Sequence, residues 1–118
     1  MRYLCLVYMT PNAFDGYSAE QSQELIDRAM DYDVELRGRG HFVTADALEP
    51  VTAARTVRVR GGKASITDGP FAETREVLGG FILIEAASMD EAVAIAVKAP
   101  MAEIGAIEVR PILDLAHS

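Results

Sequence analysis

Met1-Arg2-Tyr3-Leu4-Cys5-Leu6-Val7-Tyr8-Met9 and Phe81-Ile82-Leu83-Ile84-Glu85-Ala86 are the two stretches on which the architecture turns. Each is short, apolar and without the alternation of a half-solvated strand, so each reads as a strand with two faces to cover. Pro11 and Asn12 end the first. Ser18, with Gln21 three residues on, forms a capping box and opens a helix. Leu25, Ile26, Ala29, Met30, Tyr32 and Leu36 give that helix an apolar stripe. Glu20, Glu24, Asp27, Arg28, Asp31 and Glu35 fill other positions, and Gly38 and Gly40 supply the stop. His41 to Leu48 follows as a second strand, ended by Glu49-Pro50.

Thr56 to Thr67 reads as a β-hairpin in which Val57 and Val59 alternate with Arg58 and Arg60, and Gly61-Gly62 makes a tight turn. A two-residue loop pairs Arg60 with Lys63, Val59 with Ala64, Arg58 with Ser65 and Val57 with Ile66. One face is therefore apolar and the other basic. Arg60 opposite Lys63 is a like-charge pair, unfavourable by ~0.2–1 kcal/mol, which suits an exposed tip or a nearby acidic group. Asp68-Gly69-Pro70-Phe71 is a turn, Ala72 to Leu78 a polar connector, and Gly79-Gly80 a further turn. Ser88 and Glu91 box the start of a helix over Met89–Ala99, which Pro100 stops. Ile107 to Ile112 is the last strand, with Pro111 marking it as an edge.

Without the hairpin, the order is β-α-β-β-α-β, the ferredoxin-like pattern. The expected fold is therefore α+β: a ferredoxin-like core with an inserted β-hairpin, in one domain over residues 1–118. Two helices cover one face of such a sheet. The other face needs a partner, and a second copy is the cheapest one. A few hundred Å² of apolar surface, at ~25 cal/mol/Å², gives a gross ~10 kcal/mol before the costs of association. The expectation is a homodimer.

Composition narrows the function. The 118 residues are half hydrophobic and a quarter charged, with net charge −7. That balance fits a globular protein and argues against a nucleic-acid partner, which normally needs a basic face. No apolar run approaches the ~20 residues of a membrane span, and Met1–Met9 lacks the pattern of a signal peptide. One cysteine, Cys5, makes no internal disulfide, so the expected compartment is the cytoplasm. Cys5 sits in an apolar strand and is expected to be buried. Two histidines and one cysteine in unrelated places give no metal spacing, and no nucleotide-binding glycine motif or nucleophile elbow is present. The expectation is no metal and no cofactor.

The candidate residues each have a structural alternative. Asp68 could be a general base at a pocket mouth, or an Asx turn ahead of Gly69 and Pro70. Phe71 could line a pocket or anchor the turn on the sheet. Glu73, Arg75 and Glu76 could hold a polar ligand or form a solvated connector. His41, the only interior histidine, has the pKa range for proton transfer. Asp46 matters if it points inward. Arg110 suits a carboxylate or phosphate ligand, or pairs with Asp46, Asp68 or Glu108. The acidic helix face is solvated, or docks a basic partner.

The run Thr67-Asp68-Gly69-Pro70-Phe71-Ala72-Glu73-Thr74-Arg75-Glu76-Val77-Leu78-Gly79-Gly80-Phe81 resembles the signature of DGPF-domain proteins, within the YCII-related family. Val57-Arg58-Val59-Arg60 and Ile107-Glu108-Val109-Arg110-Pro111-Ile112 agree with it. The resemblance implies a dimeric α+β barrel. It also implies a pocket in which relatives use a His–Asp pair, the His on the first helix and the Asp before a Pro after the second. Here no His lies between Ser18 and Arg39, and Ala99 precedes Pro100. The resemblance further hints at regulation beside sigma factors of the extracytoplasmic-function type, hence at a protein partner. Two readings follow. One is a dimeric ligand- or protein-binding regulatory or accessory module. The other is a cofactor-independent enzyme acting through Asp68 or His41 on a small polar or anionic metabolite held by Arg75 or Arg110.

Overall fold

The computed structural model describes residues 1–115; His117 lies outside them. The chain runs β1 (Arg2–Met9), α1 (Ala19–Gly38), β2 (Phe42–Ala47), β3 (Arg55–Arg60), β4 (Lys63–Asp68), β5 (Val77–Glu85), α2 (Met89–Val97) and β6 (Ala106–Pro111). Short 3-10 turns occupy Val51–Ala53 and Pro100–Glu103. β2, β5, β1 and β6 form one sheet in that order, and every neighbouring pair is antiparallel. β3 and β4 form a separate two-stranded ribbon. This is the α+β, ferredoxin-like order with the hairpin inserted between the second and third core strands. β6 is an edge, where Pro111 removes no ladder bond the sheet needs.

The box at α1 is complete, and that at α2 is shifted, the Glu91 carboxylate accepting from the Ala87 amide one residue before the cap. The Ser18 hydroxyl accepts from the Gln21 amide, and the Gln21 side chain accepts from the Ser18 amide. The Ser88 hydroxyl accepts from the Glu91 amide. Tyr3, Cys5, Leu36, Ile84, Ala92 and Ile95 make the core between the sheet and the helices. Burial pushes the Cys5 thiol up to about 11, so it behaves as a small hydrophobe.

The opposite sheet face carries the other half of β1 and β5. Leu4 pairs with Leu83, and Leu6 with Phe81. These side chains are half-buried. Arg110 and Glu108 stand beside them, opposite Leu4 and Leu6, and form an ion pair at 2.9 Å. Arg2 and Glu85 pair at 2.9 Å on the same face, and the Arg2 guanidinium holds the Glu85 carboxyl below its usual range. These four charges pair with one another, while Asp46, opposite Phe81 on the same face, makes no ion pair among the described residues.

Three details depart from the sequence reading. Gly79 and Gly80 are not a turn: they lie inside β5, beside a bulge opposite Val7 and Tyr8. A Cβ on Gly80 would come within 2.8 Å of the Asp46 carbonyl oxygen, so glycine there permits close approach of β2. β5 therefore starts at Val77, earlier than expected. The stripe on α1 is also divided. Leu25 and Leu36 are buried, whereas Ile26, Met30 and Val34 form an exposed row. Phe71 is 75 % exposed and does not anchor its turn on the sheet.

The hairpin register is the expected one: Arg60 with Lys63, Val59 with Ala64, Arg58 with Ser65, Val57 with Ile66. Gly61 and Gly62 both take positive φ, as a tight hairpin turn demands. No residue of either strand is buried. The ribbon is an arm: the radius of gyration is 16.4 Å, against about 13–14 Å for a compact chain of this length.

Candidate functional site

A cavity of about 370 Å³ lies between α1, the β2–β5 side of the sheet and the Pro100–Glu103 turn. That is within the range of small-molecule sites, ~300–1,000 Å³. From α1 it receives Ile26, Ala29, Met30, Tyr32 and Asp33. The sheet supplies Val7, Met9, Ala45, Ile82 and the two glycines of β5. Ala99, Pro100 and Met101 close the far side.

Local structure explains each contribution. Residues 29, 33 and 36 follow the i, i+4, i+7 spacing of one helix face, so Asp33 shares a stripe with Ala29 and the fully buried Leu36. Pro100 stops α2, and the 3-10 turn it opens returns the chain across the cavity. Gly79 and Gly80 keep the floor free of side chains. The lining is apolar except for Asp33, the Tyr32 hydroxyl and Asp46 at the sheet edge. The Tyr32 hydroxyl is committed: it donates to the Ile95 carbonyl at 2.7 Å, which fixes α1 to α2. Burial raises its pKa, with Glu35 adding to the effect.

Asp33 is half-buried, and burial raises its carboxyl above the ordinary 3.8 while Arg37 opposes the shift. Arg37 is itself held by stacking over the Phe42 ring, 4.5 Å from its centroid. Asp33 is thus an acceptor placed against an apolar volume. Among the described residues, no group of three or more His, Cys, Asp or Glu could hold a metal ion.

The residues singled out from sequence are placed elsewhere, with one partial exception. Asp46 is exposed, but it borders the cavity. Asp68 ends β4 with its side chain exposed, 3.5 Å from Arg55. The Phe71 carbonyl accepts from Arg58, and Gly69, Pro70, Glu73, Arg75 and Glu76 lie along the same solvated connector. Arg110 is bound to Glu108 on the open sheet face. His41 sits where α1 passes into β2, its Nδ1 2.8 Å from the Glu85 carbonyl oxygen, a bond that ties β2 to β5. Asp68, Arg110 and His41 do not line one cavity. Asp33 is what sequence reasoning missed, and its helical spacing from Ala29 and Leu36 was the available signal.

The molecule is a ferredoxin-like α+β domain with one apolar, carboxylate-bearing cavity beneath its first helix. The family model for the YCII-related domain matches residues 1–116, and the chain belongs to that family. It is 35% identical over 114 residues to an uncharacterised protein of Rhizobium meliloti (strain 1021), covering 95% of this chain and 92% of that protein. In fold it is similar to 5-chloro-2-hydroxyhydroquinone dehydrochlorinase (TftG) from Burkholderia phenoliruptrix AC1100, solved in complex with 2,5-dihydroxybenzoquinone. That match has a TM-score of 0.52 and 17% sequence identity, and covers 99% of this chain and 98% of the other.

Proposed function

We propose that this chain is a small-molecule-binding module that works as a homodimer, its ligand held in the cavity beneath α1. The observation that carries this reading is Asp33, a half-buried carboxyl facing an otherwise apolar volume. Such a site favours a compact ring or short chain with one hydroxyl or amino donor, and disfavours an anion, which would face the Asp33 carboxylate. The same carboxyl supports a second reading, a cofactor-independent proton-transfer enzyme. A carboxyl raised by burial is nearer to useful general-base strength, and the fold neighbour named above is an enzyme on a hydroxylated ring.

Catechol and toluene separate donor recognition from apolar filling. Catechol should raise the melting temperature in proportion to ln(1 + [L]/Kd), and Asp33→Asn should weaken it by about tenfold to a hundredfold, the effect of losing a charge-assisted hydrogen bond of ~1.5–3 kcal/mol. Toluene should bind both forms alike. The pH dependence follows from the raised carboxyl: catechol affinity falls as pH drops through the Asp33 range, because the protonated acid is a weaker acceptor. Stability moves the other way. A folded-state pKa above the unfolded one means that the native state holds more protons in that window, so stability decreases as pH rises through it and is level above. Asp33→Asn should remove that dependence. Equal catechol binding by the wild type and Asp33→Asn would defeat the reading.

The dimer is supported by the open sheet face. Leu4, Leu6, Phe81 and Leu83 form a contiguous apolar patch flanked by the Arg2–Glu85 and Arg110–Glu108 ion pairs. Light scattering at micromolar concentration should give twice the 12.8 kDa chain mass. Leu6→Glu should give a folded monomer, since it places an unpaired carboxylate opposite Phe81. A monomeric wild type would defeat the open-face interface.

A further inference from the structure

We infer that the hairpin arm of one copy seats on α1 of a second copy and closes the mouth of that copy's cavity, so that each site is completed by its partner. The inference deepens the pocket and open-face dimer proposed above. It rests on three observations. The arm has an apolar face of Val57, Val59, Ala64 and Ile66, and the three large side chains are each 58–66 % exposed. An isolated two-stranded ribbon is marginal in water, and here the parent chain buries none of its residues. α1 has its own uncovered apolar row, Ile26, Met30 and Val34, and the first two line the cavity.

Charge selects the pairing. The arm, residues 55–68, holds Arg55, Arg58, Arg60 and Lys63 against one acid, Asp68, which pairs with Arg55 at its base. α1 holds six carboxylates against two arginines. Beside the exposed row, Asp31 and Glu35 make no ion pair among the described residues. The other apolar surfaces carry fewer carboxylates: the open sheet face adds only Asp46 to its internal ion pairs, and the Met89–Val93–Val97 row of α2 has Asp90 and Glu91 beside it, against six carboxylates on α1. The acidic helix also supplies what the Arg60–Lys63 pair lacks, a counter-charge at the tip.

The dimensions agree. Each arm strand has six residues, about 20 Å at ~3.3 Å per residue. In a dimer closed through the open faces, the partner's sheet lies ~10 Å away, and its helices one helix diameter beyond, a further ~10 Å. The arm is long enough to pass the sheet edge and reach α1 of the other copy.

A disulfide trap tests this. Two tagged forms, one carrying Val59→Cys and the other Met30→Cys, are mixed and oxidised; Ile26→Cys and Val34→Cys replace Met30→Cys in parallel to allow for register. The native thiol at Cys5 is buried and competes poorly. The expected product is a 59–30, 59–26 or 59–34 bond joining the two tags, found by peptide mass mapping. Its yield should fall at least tenfold with Arg58→Glu plus Arg60→Glu, and return when Asp31→Lys plus Glu35→Lys is placed in the other copy. Without oxidant, the Met30→Cys thiol should be alkylated at least tenfold faster once Val59→Asp and Ile66→Asp disable the arm. Only 59–59 bonds, no bond between the two tags, or yields indifferent to charge reversal would overturn the inference. Trapping needs no ligand. A dimer that binds catechol but forms no helix–arm bond refutes the arm alone, and a trapped dimer that ignores catechol refutes the pocket alone.

Discussion

Leu36→Ala should lower the unfolding free energy by about 2–5 kcal/mol, the usual cost of a core Leu→Ala change with its residual cavity. Leu36 is fully buried and packs in the cluster with Tyr3, Cys5, Ile84 and Ile95, where the sheet meets α1 and α2. The other members of that cluster are themselves buried, so collapse can recover little of the loss. In a chain of this size that shifts the melting temperature by roughly 10–20 °C. Urea unfolding should show a lower midpoint at unchanged slope. Val97→Ala, on the exposed side of α2, is the control and should change stability by no more than about 0.5 kcal/mol. Equal effects at the two positions would contradict the placement of the core.

Gly105→Ala should cost at least as much, for the opposite reason. A Cβ at Gly105 would collide with the Tyr8 carbonyl oxygen and lie 3.2 Å from the Met9 Cβ. The obstructing atom is backbone, in the strand to which β6 is paired through Tyr8 and Ala106. It cannot swing away as a flexible side chain would. Relief requires β1 and β6 to separate at that end, so a loss of about 3 kcal/mol or more is expected. Hydrogen exchange should localise it, with amides at the Tyr8–Ala106 end of the β1–β6 ladder losing protection first. Wild-type stability with the ladder intact would contradict the close approach.

Leu36 and Gly105 also mark how far sequence reasoning reached. Leu36 was recognisable because a helix repeats every 3.6 residues and the stripe with Leu25 stands out against its charged neighbours. Gly105 carries no local mark: its constraint comes from Tyr8, nearly a hundred residues away. The same division runs through the site. Pro100 and the absent acid before it were visible in the chain, whereas Asp33 was hidden among the acidic residues of α1. Its distinction is burial, and burial depends on what Ala45, Ile82 and Pro100 do across the gap. Asp68, Phe71 and Arg75 belong to a run conspicuous in sequence, yet their side chains lie in solvent in the single chain.

Local interactions in the chain were enough to establish the order of elements, both helix caps, the hairpin register and the two-faced character of β1 and β5. Each depends on residues within a few positions or on one strand's own periodicity, where near-neighbour sterics and hydrogen bonding dominate. The division of the α1 stripe into a buried and an open row, the role of Gly79 and Gly80 inside a strand, and the cavity at Asp33 came only with the fold. They are relations between segments 30 to 100 residues apart, created when β5 inserts between β1 and β2, and no local preference encodes which atoms will meet there.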